Sequence, residues 1–267
     1  MTNTSTHPLA PHGKSLRVAF LHLAPRWDDV QYNLSLLETM IIKAAALKAD
    51  LILTPELAVS GYEFYKVLGK EWIKTDVPGI LQKFSKLARQ NRVALLLGSP
   101  IYDQPGDRYY NAAVLIDENG QVTDAHHKIR VLPGAEDWSQ PGQYVQPVEW
   151  SGRRIGIMIC ADASKESIAA ELAAQGAEVL ISLSAWAPGL HGPSGEWEQR
   201  SKDTGLCFLV CNRTGPGALV NFTGSSSVVA VAGRRLLEYA NPQPAILTID
   251  LDAHSWLPQS GAFTITC

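Results

Sequence analysis

Residues 154–164 read "RIGIMICADAS". An apolar run of strand type ends on Cys160 and is followed at once by a small residue and an acid. A buried cysteine is ordinarily only a small hydrophobe. The C-terminal tip of a strand, however, is where α/β folds place their ligands. Both readings fit this stretch, so the surrounding chain has to decide between them.

Outward from it, strand-like runs lie at "RVAFLHLA" (17–24), "DLILTPEL" (50–57), "VALLLGSPIY" (93–102), "EVLISLSA", "CFLVCN", "SSVVAVAG" and "AILTIDL", with a hairpin turn at Asn119-Gly120 after "NAAVLID". Helices are expected at 28–49, with Leu34, Leu37, Ile41, Ala44 and Ala45 on one face and Asp28 and Asp29 in the first turn. Others are expected at 79–91, at "ESIAAELAAQG" and at "GEWEQRSKDTG". Near-continuous apolar strands alternating with helices, joined in places by hairpins, point to α/β layers with a mixed sheet. The chain reads as a flexible leader over residues 1–15 and one domain over 16–267.

Composition narrows the class of function. The 267 residues carry a formal charge of −3, with 46% hydrophobic and 18% charged residues. That balance lacks the basic excess of a nucleic-acid binder. No run approaches the roughly 18 apolar residues of a membrane helix. The first residues match no secretory or transit signal, so a cytoplasmic protein is expected. Cys160, Cys207, Cys211 and Cys267 form no C-x-x-C pair, and the seven histidines show no H-E-x-x-H pattern. Reduced thiols, no metal and no cofactor are therefore expected.

Three positions carry chemistry. Glu56 in "LTPELAVSGY" leaves an apolar strand through a proline, where a carboxylate is poorly hydrated and suited to base work; as a helix cap or surface acid it would be equally ordinary. Lys128 in "HHKIRVLPGAEDW" sits among strand-like residues, although a lysine is usually solvated. With Cys160 they can converge on one sheet edge. A thiol needs a base to attack a carbonyl carbon, and a nearby ammonium stabilises the anions that form.

These motifs make the chain similar to the nitrilase, or carbon-nitrogen hydrolase, superfamily. "LTPELAVSGY", "HHKIRVLPGAEDWSQPG" and "RIGIMICADAS" stand in that family's order, and "SLSAW", "CNRTG" and "FTGSSSVVAVAG" follow where it has similar segments. The resemblance covers about residues 16–252. It implies an αββα sandwich of two mixed sheets, paired into a homodimer as α-β-β-α-α-β-β-α. It also implies Glu56 as general base, Lys128 as oxyanion-stabilising cation, Cys160 as nucleophile, Glu136 as a second, positioning glutamate, and the Ala161 amide in the oxyanion hole. Trp138, Trp186 and His191 are expected at the pocket walls, with Lys165 and Arg130 as nearby cations.

The sequence departs from the family's pattern directly after the nucleophile. Many amidase members have an aromatic residue there and an Arg-Phe-Pro-Glu run beyond, whereas this chain has "CADASKES". Nitrilases proper usually have tryptophan and glutamate where Ala161 and Asp162 stand. The expected activity is thus thiol-dependent cleavage of a small amide or carbamoyl compound through a Cys160 thioester. The alternatives are acyl transfer from the same thioester, nitrile hydrolysis, and a non-catalytic binding protein, which an intact Glu-Lys-Cys set disfavours.

Overall fold

A computed structural model describes residues 15–267. Of the leader read over 1–15, all but Ser15 lies outside the described residues. In chain order the strands of the first half are β1 (Leu16–His22), β2 (Leu51–Leu53), β3 (Ala94–Asp103), β4 (Arg108–Ile116), β5 (Val122–His127) and β6 (Val148–Trp150). Those of the second half are β7 (Arg153–Ile159), β8 (Val179–Ser184), β9 (Phe208–Asn212), β10 (Ser226–Val231), β11 (Arg234–Ala240), β12 (Ala245–Leu251) and β13 (Thr264–Thr266). The helices are α1 (Val30–Ala46), α2 (Tyr65–Leu68), α3 (Glu71–Asn91), α4 (Glu166–Ala174) and α5 (Glu196–Thr204).

Two mixed sheets result, in the orders β13-β12-β1-β2-β3-β4-β5 and β11-β10-β9-β8-β7-β6. Each has three neighbouring parallel strands, β1-β2-β3 and β7-β8-β9, extended on both sides by antiparallel ones. Side chains alternate along a strand, so a strand covered on both faces must be apolar throughout. In β1, Val18 and Phe20 join the core between the sheets, while Ala19 and Leu21 join the core under α1 and α3. In β7, Ile157 and Ile159 face the other sheet and Met158 packs toward Leu172 of α4 and Trp197 of α5. The layers are therefore αββα, as expected.

Several elements differ from the expectation. Helix α1 is shorter than 28–49 because Asp29 caps it, accepting the Tyr32 N–H at 2.8 Å. Helix α3 begins at Glu71, before position 79, and runs through Pro78. A proline forfeits one helical hydrogen bond, but Ile73, Val77, Ile80, Phe84 and Leu87 are all buried along the helix and offset that loss. Strands β6, β11 and β13 were not expected: two span three residues, and β11 carries Arg234, Arg235 and Glu238 and is exposed at every second position. Cys207, Leu209 and Cys211 all lie in the core between the sheets, which accords with packing on one strand face.

Candidate active site

The C-terminal ends of the parallel strands meet at one rim. Strand β2 passes through Thr54 and Pro55 to Glu56, β7 hands on to Cys160, and β8 to Ala185. The edge strand β5 ends at His127, which puts Lys128 at the same rim. The Glu56 turn is pinned from β3: the Gly98 N–H donates to Thr54 Oγ1 at 2.8 Å, and a Cβ at Gly98 would overlap the Pro55 carbonyl oxygen. Leu57 and Cys160 both adopt left-handed backbone, with φ of 50° and 48°. Such conformations cost an L-residue roughly 1–2 kcal/mol and cluster at functional sites. Cys160 does not extend the strand; it opens a short 3₁₀ turn over Cys160–Ser164.

Lys128 Nζ stands 2.6 Å from Glu56 Oε1 and 2.8 and 2.9 Å from the two oxygens of Glu136. Lys128 and Glu136 are 0% exposed, Glu56 1% and Cys160 3%. The Asn111 side-chain amide donates to Glu56 Oε1 at 2.8 Å and to Glu136 Oε1 at 2.7 Å, and the backbone carbonyl of Asn111 accepts the backbone N–H of Lys128 at 2.8 Å. Glu56 Oε2 receives the Ala185 N–H at 3.0 Å, and Glu136 Oε2 the Leu132 N–H at 2.8 Å. Two acids and one cation, all dry, are thus each held by several donors or acceptors. This satisfies the condition under which buried charge is tolerated.

Burial alone would discharge Lys128, but Glu56 and Glu136 outweigh it and hold the ammonium well above the usual lysine range. Burial likewise raises Glu136 despite the pull of Lys128. The Cys160 thiol is pushed well up by burial and by Glu56, against the lowering effects of Lys128 and the Ala185 amide. At rest, then, the thiol keeps its proton and a base must remove it during reaction. Tyr62 has its ring centroid 6.0 Å from Lys128 Nζ, and its hydroxyl is kept protonated by burial first and then by the two acids.

The remaining expected residues are spread out. Ala161 is buried directly after Cys160. Trp138 is buried edge-on against Phe64 at 4.9 Å, within the cluster that contains Leu57, Tyr62 and Ala185. Trp186 is half-buried beside Trp197, and its indole N–H donates to the His191 carbonyl at 3.0 Å while the His191 side chain is exposed. Lys165 is exposed, and the Arg130 guanidinium bonds Ser164 Oγ.

Three contributors escaped the sequence reading. Asn111 and the Ala185 amide hold the acids, as described. Asp162, expected only in the exit turn, is fully buried and accepts backbone N–H groups from Ile159 (2.9 Å), Ile129 (3.1 Å) and Arg130 (2.6 Å), with His126 Nε2 at 3.5 Å. It ties the segment carrying Lys128 to the turn carrying Cys160. An Asn within an apolar strand, "YNAAVLI", is the one signal in the sequence that marks an odd buried polar group.

Comparison with known proteins identifies the family and the fold. The sequence profile of the carbon-nitrogen hydrolase family matches residues 17–257. An (R)-stereoselective amidase from Pseudomonas sp. is 30% identical over 89% of this chain and 86% of its own length. A probable nitrilase from Schizosaccharomyces pombe is 25% identical over 88% and 89%. The crystal structure of an amidase from Nesterenkonia sp. superposes with a TM-score of 0.78 at 25% identity, covering 94% of this chain and 95% of that one. The chain belongs to the carbon-nitrogen hydrolase family. It is a thiol-dependent carbon-nitrogen hydrolase. No helix among the described residues is long and apolar enough to cross a membrane.

Proposed function

We propose that the chain hydrolyses a small amide or carbamoyl compound through a thioester on Cys160. The observation that carries this reading is the buried Glu56–Lys128–Glu136 ion cluster at the strand ends, at the same rim as the buried Cys160. Glu56 accepts the thiol proton as sulfur attacks the carbonyl carbon, and the charge that develops on oxygen is held by Lys128 Nζ and the Ala161 N–H. The Glu56 carboxyl then protonates the leaving nitrogen, and ammonia or an amine departs as the C–N bond breaks. Glu56 next takes a proton from water, whose hydroxide attacks the thioester, and the carboxylic acid leaves as the thiol is restored. Glu136 positions Lys128 throughout.

An amide substrate is supported by relatives. A variant of the Nesterenkonia amidase carries acrylamide added to its active-site cysteine, and another holds butyramide. Trp138, Trp186 and His191 are taken as substrate-side residues, and the enzyme as a cytoplasmic homodimer whose residues 16–267 form one domain.

The test is mass spectrometry of the protein during turnover of a slow amide, with released ammonia measured in parallel. A single acyl adduct on Cys160 and stoichiometric ammonia are expected, and Cys160→Ala abolishes both. An active alanine variant overturns the reading. Consumption of an added amine into a new amide, in place of acid release, would favour acyl transfer from the same thioester.

A further inference from the structure

Asn212 closes β9 and is fully buried. The β8–β9 ladder ends at the pair Ser184–Asn212. Beyond that pair, the backbone of Trp186 has no strand opposite it, and the Asn212 side chain takes the strand's place. Its Oδ1 accepts the Trp186 N–H at 3.0 Å and its Nδ2 donates to the Trp186 carbonyl at 2.9 Å. An amide group matches both needs of one peptide unit because it carries a donor and an acceptor side by side.

The residue so fixed adjoins the reaction. Ala185, directly before Trp186, donates its N–H to Glu56 Oε2 at 3.0 Å, and the same amide draws the Cys160 thiol down against its burial. Asn212 is itself anchored from behind. Its N–H donates to Ser227 Oγ at 3.0 Å, and Ser227 Oγ lies 3.0 Å from His22 Nδ1. His22 Nε2 is 3.1 Å from the Asn241 carbonyl, which can only accept, so a neutral His22 carries its proton on Nε2 and accepts at Nδ1 from the Ser227 hydroxyl, which also lies 3.3 Å from the Asn212 carbonyl. The result is a continuous buried chain from β1 and β10 to the base carboxylate.

We infer that Asn212 is a positioning residue for this reaction: by clasping both backbone groups of Trp186 it aims the Ala185 N–H at Glu56. It touches neither substrate nor the reacting atoms. Its effect on the chemistry passes through one backbone amide, and a purely structural asparagine would not act on the thiol in this way. The inference rests on Cys160 as the nucleophile.

Asn212→Asp keeps the shape and the acceptor but sets a second acceptor against the Trp186 carbonyl. Asn212→Ser is small, introduces no buried charge, and gives the readout if the aspartate does not fold. Three quantities are measured on the full chain: kcat, KM, and the rate of Cys160 alkylation by iodoacetamide as a function of pH, with the labelled peptide mapped by mass. A mis-aimed hydrogen bond of ordinary strength lowers kcat about tenfold or more, with KM changed by less than about threefold. The midpoint of the alkylation profile moves to higher pH, because the Glu56 carboxylate facing the thiol loses a donor and opposes the thiolate more strongly. Trp186→Ala, which keeps the clasp on the backbone, leaves that midpoint in place even where KM rises.

A wild-type kcat in a folded Asn212 variant overturns the inference. So does a fall in kcat with an unmoved alkylation midpoint, or a midpoint that Trp186→Ala shifts equally. If the substrate-protected label maps to a residue other than Cys160, the reading of the nucleophile fails instead, and the two failures are told apart by the peptide map.

Discussion

Lys128 has no exposed surface and lies 2.6 and 2.8 Å from carboxylates of two different segments. A lysine in a dry site is normally discharged, and it is the paired acids that keep this one charged. The pairing works in both directions, since Glu56 and Glu136 share the Asn111 amide and would face one another across an empty site without the ammonium. Lys128→Met keeps most of the stem and removes that charge. Breaking a buried ion cluster from one side costs about 3–5 kcal/mol, so unfolding by denaturant shows a loss of that order. Turnover falls about 100-fold or more through loss of the oxyanion contact. Adding Glu136→Gln to Lys128→Met relieves the uncompensated charge and recovers part of the stability without recovering turnover. A single variant that is both stable and active contradicts the proposed role.

At the scale of elements, the site depends on strand ends being tied together by polar groups that are themselves buried. Asp162 joins the end of β5 to the turn after β7, and Asn212 joins β9 to the segment after β8. His22 ties the end of β1 to β10 through Ser227, with Tyr239 of β11 edge-on to its ring at 5.1 Å. Burial lowers the His22 pKa from its ordinary 6.5, with backbone contacts to Asn241 and Asn212 opposing. Burial likewise lowers His127, helped by His126. Both rings are therefore neutral in the fold but take up protons readily once the chain unfolds. The stability these neutral rings confer is complete above 6.5 and declines as pH falls from there toward their lower native values. Denaturant midpoints measured from pH 8 to 5 show that decline, and His22→Gln flattens it. Equal slopes for the two proteins would remove His22 as a source.

Over the whole molecule, the αββα layering determines which thiols are reachable. Cys207 and Cys211 lie in the core between the two sheets, and burial raises the Cys207 thiol to about 12 and Cys211 higher still. Cys267 is exposed; Cys160 is as buried as Cys207, at 3% exposure, and joins the same core, but it alone follows a strand end beside Glu56 and Lys128, which is why reaction is expected there. Under native conditions iodoacetamide is expected to label Cys267 and, with loss of activity, Cys160. Substrate protects Cys160 alone, and Cys207 and Cys211 react only on global unfolding. Inactivation that tracks labelling of Cys207 contradicts this order. Helix-covered mixed sheet was legible in the chain from the near-continuous apolar runs "RVAFLHL", "RIGIMI" and "EVLISL", and the αββα arrangement of two sheets from the resemblance to the family. So was the set of Glu56, Lys128, Cys160 and Glu136, through three motifs in a fixed order. Edge strands β6, β11 and β13 were not, since short or charged segments become strands only when a neighbour offers its free hydrogen-bonding edge. The first turns of α3 were hidden by Pro78, whose local cost is overcome by burial that the sequence does not display. Sequence alone marked which groups are proposed to do the chemistry, because side-chain type and the order of the motifs are properties of the chain itself. Only the tertiary structure decided how they are aimed, because Asn111, the Ala185 amide, Asp162 and Asn212 act across strands far apart in sequence, and their hydrogen bonds exist only once those strands are neighbours.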